Sequence, residues 1–168
     1  IGSYGTDDGQ FLWPVQIITN DDGHIFVSDE ATHRITRFNE AGEFVSKWGT
    51  AGDGTGQFDG PTGIAFNSEG NLMVVDSKNH RIQQYTPDGE YIGGFGSHGS
   101  EPGQMDLPWG VHVDELGDIY VADWGNNRFQ VFSSEGQLKM VVGTFGSGEA
   151  QFNRPTGVAV DKHGDIYV

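Results

Sequence analysis

The feature that most constrains this chain is a register of 47 residues that never slips. Gln10-Phe11 is answered by Gln57-Phe58, Gln104-Met105 and Gln151-Phe152. The same spacing carries Pro14, Pro61, Pro108 and Pro155, then Gly23, Gly70, Gly117 and Gly164, and the pairs Asp29/Arg34, Asp76/Arg81 and Asp123/Arg128. Self-similarity at a fixed period means one supersecondary unit stacked on copies of itself, each burying a face its neighbour supplies. The repeats divide the chain at 1–47, 48–94, 95–141 and a partial 142–168.

Within a repeat the pattern is short alternating runs bounded by Gly, Asn, Asp and Pro, the signature of antiparallel strands joined by tight turns. In the third repeat strands are expected at residues 110–113, 119–122, 129–132 and 138–141, so one repeat is one four-stranded propeller blade. Gly89 and Gly117 sit where a hairpin turn needs positive φ. A helical solenoid would require apolar residues at i, i+3, i+4 and i+7 over ten or more positions, and the 27 glycines leave no segment long enough. The fold class is therefore all-β, with propeller blades of four antiparallel strands.

The recurrent element is Val-x-Asp, a polar turn, then Arg. Asp76-Ser77-Lys78-Asn79-His80-Arg81-Ile82 resembles the signature of NHL repeats, and 29–35 and 123–129 are looser copies. The flanks Gly60-Pro61-Thr62-Gly63-Ile64-Ala65 and Gly157-Val158-Ala159-Val160-Asp161 resemble the opening strand of that family, and the likeness covers essentially the whole chain. The resemblance implies a six-bladed ring, longer than three and a half repeats, so further blades of a longer parent protein are expected to complete it.

Composition narrows the function classes. A net charge of −15 would repel a phosphate backbone, and no repeat carries more Lys and Arg than Asp and Glu, which argues against nucleic acid. The absence of cysteine removes thiolate catalysis and zinc–cysteine sites. No run reaches the ~20 apolar residues of a membrane span.

What recurs in every blade is needed to build a blade, whereas a single site must be carried by positions that differ. By that rule the Asp/Arg pairs brace the turn between second and third strands, and the acidic turns 20–23 and 114–117 are hairpins, not calcium loops. No two of the six histidines stand at metal-ligand spacing on one strand, so neither a metal nor a cofactor is expected. His33, His80, His24, His163 and His98 read as surface residues. His112 departs from the repeat, standing on the innermost strand where Ile18, Ala65 and Ala159 are its equivalents.

The resemblance extends to NHL-type lyases, whose zinc-binding histidines follow the loop proline; here those positions are Val15, Thr62, Trp109 and Thr156. No catalytic residue is assigned. The departures near that loop are aromatic: Trp13 before Pro14, Trp109 after Pro108 and Trp124 after Asp123. Tryptophan offers a large rigid apolar face with one donor. The expected role is non-catalytic binding of a protein, peptide or glycan partner through Trp13, Trp109, Trp124 and His112. The alternatives are a propeller enzyme, lyase or hydrolase, with its groups on other blades, or the substrate-recruiting domain of a ubiquitin ligase.

Overall fold

Strands of five or six residues with β-branched and aromatic side chains pair through the tight turns that Asn, Asp and Gly permit. The computed structural model describes residues 1–168. The first blade is the sheet β1 (Pro14–Thr19), β2 (Ile25–Asp29), β3 (Arg34–Phe38) and β4 (Phe44–Trp48), in that order. The second is β5 (Pro61–Phe66), β6 (Leu72–Asp76), β7 (Arg81–Tyr85) and β8 (Tyr91–Phe95). The third is β9 (Pro108–Val113), β10 (Ile119–Asp123), β11 (Arg128–Phe132) and β12 (Leu138–Val142), all pairs antiparallel.

After a short parallel pair, β13 (Thr144–Phe145) and β14 (Gln151–Phe152), the chain begins a fourth sheet with β15 (Ala159–Val160) and β16 (Ile166–Tyr167). The strands of the third blade fall within two residues of the positions read from the sequence, and Gly89 and Gly117 have φ of 90° and 86°.

The core lies between blades, because a strand buried on both faces alternates its side chains between two neighbours. On β6, Leu72 and Val74 join Phe26, Ile35, Phe58, Ile64 and Tyr85 in the seam between the first and second blades. Met73 and Val75 turn the other way, to Met105, Val111, Ile119, Val121 and Phe132 in the next seam. A third, smaller cluster sets Tyr120, Phe129 and Val131 against Phe152, Val158 and Val160.

Each crossover into a new blade is locked by the recurrent glutamine. Gln57 Oε1 accepts the Gly54 N–H at 3.0 Å, and Gln10, Gln104 and Gln151 do the same for Asp7, Glu101 and Gly148. A Cβ on Gly52 would lie 2.4 Å from that carboxamide oxygen and displace it, and Gly52 has φ of 149°, a backbone conformation that favours glycine.

Candidate functional site at the crossover end

Strand register decides which loops share a face. Pro14 pairs with Asp29, Pro61 with Asp76 and Pro108 with Asp123, so the start of each innermost strand lies beside the end of the next one out. The crossovers and the β2–β3-type turns therefore open at one end of the blades. The tight hairpins, such as 20–24 and 114–118, lie at the other.

At the crossover end the buried aspartates organise the backbone. Asp76 accepts from the Asp59 N–H (2.7 Å), Asn79 Nδ2 (2.9 Å), Arg81 Nε (2.8 Å) and Gln83 Nε2 (3.0 Å). Asp123 repeats the set with Asp106, Asn126, Arg128 and Gln130. The guanidiniums reach on to crossover carbonyls, Arg81 to Gly54 and Gln57, Arg128 to Ser100, Glu101 and Gln104.

The first blade braces the same turn with a different set of bonds. Asp29 takes four backbone N–H groups, those of Leu12, Trp13, Ala31 and Thr32, while Arg34 binds the Thr6, Asp7 and Gln10 carbonyls with its Nε unpartnered. Thr32 and Thr36 stand where the other blades have Asn and Gln, so no side-chain amide shares the carboxylate with the arginine.

A second device joins blade to blade. His33, His80 and Asn127 all adopt left-handed backbone (φ 53°, 55° and 55°). Each accepts a hydrogen bond from the next blade's entry loop: His33 Nδ1 from Gly60 (3.3 Å), His80 Nδ1 from Leu107 (3.0 Å) and Asn127 Oδ1 from Arg154 (3.0 Å). The sequence reading of His33 and His80 as surface residues is corrected here. They clasp adjacent blades, and only 27% and 19% of their side-chain surface is exposed.

His98, in the crossover, meets His80 with ring centroids 4.2 Å apart, and both face Asp106 Oδ1, at 3.6 Å from His98 Nε2 and 3.5 Å from His80 Nδ1. Burial, reinforced by repulsion from His98, holds His80 below the usual imidazole range, partly offset by Asp106 and Asp123. Asp106 packs against Gly125, whose N–H donates to the Asp106 carbonyl at 2.8 Å. Spacing along one strand could not find this cluster, because its members lie on two loops, His80 being 18 residues from His98 and 26 from Asp106. The available signal is that His98 breaks the repeat, its equivalents being Tyr4, Ala51 and Phe145.

Trp13, Trp109 and Trp124 all lie at this crossover end. The Trp13 ring is open to solvent, with 63% of the residue exposed. Trp109 is half-buried at the start of β9, its carbonyl accepting the Thr62 hydroxyl (2.8 Å). Trp124 is half-buried under Arg154, whose guanidinium carbon is 4.5 Å from the ring centroid. Trp109 is three residues after Asp106 and Trp124 precedes Gly125, which packs on Asp106, whereas Trp13 belongs to the first blade. His112 is not brought to them. It is three residues along β9 from Trp109, about 10 Å at strand rise. It faces a cleft of about 480 Å³ at the hairpin end with Asp114, Asp161, Lys162 and His163.

The family described as a 6-bladed beta-propeller matches residues 5–95, more than half of the chain, and an NHL repeat matches residues 105–132. The chain belongs to the six-bladed β-propeller family. Among solved structures this propeller is similar to virginiamycin B lyase from Staphylococcus aureus (TM-score 0.70, 14% identity, 92% of this chain and 47% of that one). It is also similar to a gluconolactonase from Xanthomonas campestris (TM-score 0.66, 21% identity, 92% and 52%) and to hydrazine synthase from Kuenenia stuttgartiensis (TM-score 0.70, 16%, 95% and 42%). The propeller thus spans about half the length of the structures it matches, and at these identities they establish its fold. No curated protein matches it in sequence. No helix is long and apolar enough to cross a membrane.

Proposed function

We propose that this propeller is a non-catalytic binding domain that holds a protein, peptide or glycan partner at its crossover end. The observation that carries this reading is the placement of all three repeat-breaking tryptophans at one end of the blades, on loops whose backbone is already fixed. The buried Asp/Arg networks and the His80–Leu107 clasp hold those loops, so little conformational entropy remains to be lost when a partner docks. Exposed aromatic faces on rigid loops are the surfaces on which binding energy concentrates. The similarity to a lyase and a gluconolactonase supports a propeller scaffold, and the histidines that the NHL-type lyases would require are replaced here by Val15, Thr62, Trp109 and Thr156.

The test is to probe peptide and glycan arrays with the labelled protein and to titrate the hits against variants. Trp109→Ala and Trp13→Ala should each weaken binding by about 2 kcal/mol or more. Hits whose affinity ignores both substitutions would place the binding surface elsewhere.

A further inference from the structure

Three donor groups converge in the crossover between the second and third blades, and one of them is peculiar to that crossover. The seam between the first and second blades has the same clasp, with His33 Nδ1 at 3.8 Å from Asp59 Oδ1, but Ala51 stands where the later seam has His98. His98 is therefore not needed to join blades. It is 69% exposed, yet its Nε2 is aimed at the carboxylate that His80 already faces.

We propose that His80, His98 and Asp106 form a binding site for a divalent transition-metal ion of the zinc class. One donor atom from each residue lies within 4.8 Å of the other two. The separations of 3.5 and 3.6 Å from Asp106 Oδ1 match the edge of about 3.4 Å expected between ligands about 2.1 Å from a tetrahedral zinc ion. Two imidazoles with one carboxylate suit zinc better than magnesium or calcium, which favour all-oxygen shells. The exposed His98 side leaves a coordination position open to water or a ligand.

One bond must be exchanged. His80 Nδ1 has a single in-plane lone pair and now accepts the Leu107 N–H at 3.0 Å. Coordination through that nitrogen takes the lone pair from the clasp, so zinc uptake should perturb the Leu107 amide as well as the imidazoles. The site stands on its own geometry and does not depend on the partner-binding reading.

The experiment is calorimetric titration of the metal-free full chain with zinc chloride at pH 7.5, followed by ¹⁵N spectra of the imidazoles and of the Leu107 amide. One equivalent should bind, with shifts at His80, His98 and Leu107. His98→Ala and Asp106→Asn should each weaken it at least about tenfold, since even the loss of an outer-shell partner commonly does so. His33→Ala, at the matching position of the other seam, should leave zinc affinity unchanged. Ala51→His should add a second, weaker equivalent beside His33 and Asp59. Absence of saturable zinc binding by the folded chain would overturn the site, as would stoichiometric binding undiminished in both His98→Ala and Asp106→Asn.

Discussion

Between the first and second blades the innermost strands are joined by a side chain. Gln16 Nε2 donates to the Ile64 carbonyl (3.0 Å), and Gln16 Oε1 accepts the Ile64 N–H (3.1 Å), while Ser28 Oγ donates to the Thr62 carbonyl (2.6 Å). Between the second and third blades the same strand position is Gly63, and a Cβ there would lie 2.6 Å from the Trp109 carbonyl oxygen. Here the innermost strands approach closely enough for the Thr62 hydroxyl to donate to the Trp109 carbonyl (2.8 Å) with no carboxamide between them, and apolar Val75 replaces Ser28. The wedge angle of a propeller can thus be met by a carboxamide spacer or by direct contact, and the residues at those positions need not match for the blades to do so.

At the crossover end the two seams share their imidazole clasp, and the later one adds a histidine, His98. That contrast separates what holds the propeller together from what the propeller can use.

The largest effect should come from the apolar filling of a closed seam. Ile64 is fully buried, whereas Ile17, its equivalent one period earlier, is 61% exposed on the outer face of the first blade. Ile64→Ala should cost about 2–5 kcal/mol in urea unfolding and Ile17→Ala less than about 0.5. Equal losses would mean that the outer face of the first blade is covered in solution.

The two spacer solutions can be set against each other next. Gly63→Ala forces a methyl group against fixed backbone and should destabilise by about 1–3 kcal/mol. Gln16→Ala removes two hydrogen bonds to Ile64 and should cost about 1 kcal/mol, because the widened seam readmits water to that backbone. A harmless Gly63→Ala would show that the innermost strands can separate and that the direct seam is looser than its geometry.

A smaller, pH-dependent difference should distinguish the clasps. Because the folded protein holds His80 below the usual imidazole value of 6.5, the unfolded chain binds the extra proton first as acid is added. The stability linked to His80 is complete above about pH 6.5 and is lost as the pH falls toward its lower folded-state value. His80→Asn copies the residue that serves as the clasp at Asn127, and it should match the parent at pH 7.5 but lose less stability on acidification with EDTA present. Parallel pH profiles for the two proteins would assign the acid sensitivity to other groups.

The repeat made the blades legible: period, strand positions, turn glycines and buried aspartates all follow from residues that recur, because identical local sequence in an identical environment folds identically. The seams were harder to read. His80 and Leu107 are 27 residues apart, and His80 and His98 lie on different loops. Their approach is fixed by blade stacking, not by any local period. The bracing role of Asp29 and Arg34 was legible from spacing, but not that four backbone N–H groups would fill Asp29 while Arg34 turns wholly to the crossover carbonyls. The tryptophans were found by their departure from the repeat, and the same rule applied to His98 would have singled it out.

The central claim is that the Asp/Arg networks recurring at the crossover end hold the blades while His98, a departure from the repeat at that end, carries no structural load, and paired urea unfolding of Arg81→Ala and His98→Ala in metal-free buffer tests it most directly. Arg81→Ala leaves the buried Asp76 short of its charged donor and frees two crossover carbonyls, so it should cost about 1–3 kcal/mol. His98→Ala should change stability by less than about 0.5 kcal/mol. A costly His98→Ala beside a silent Arg81→Ala would contradict the account.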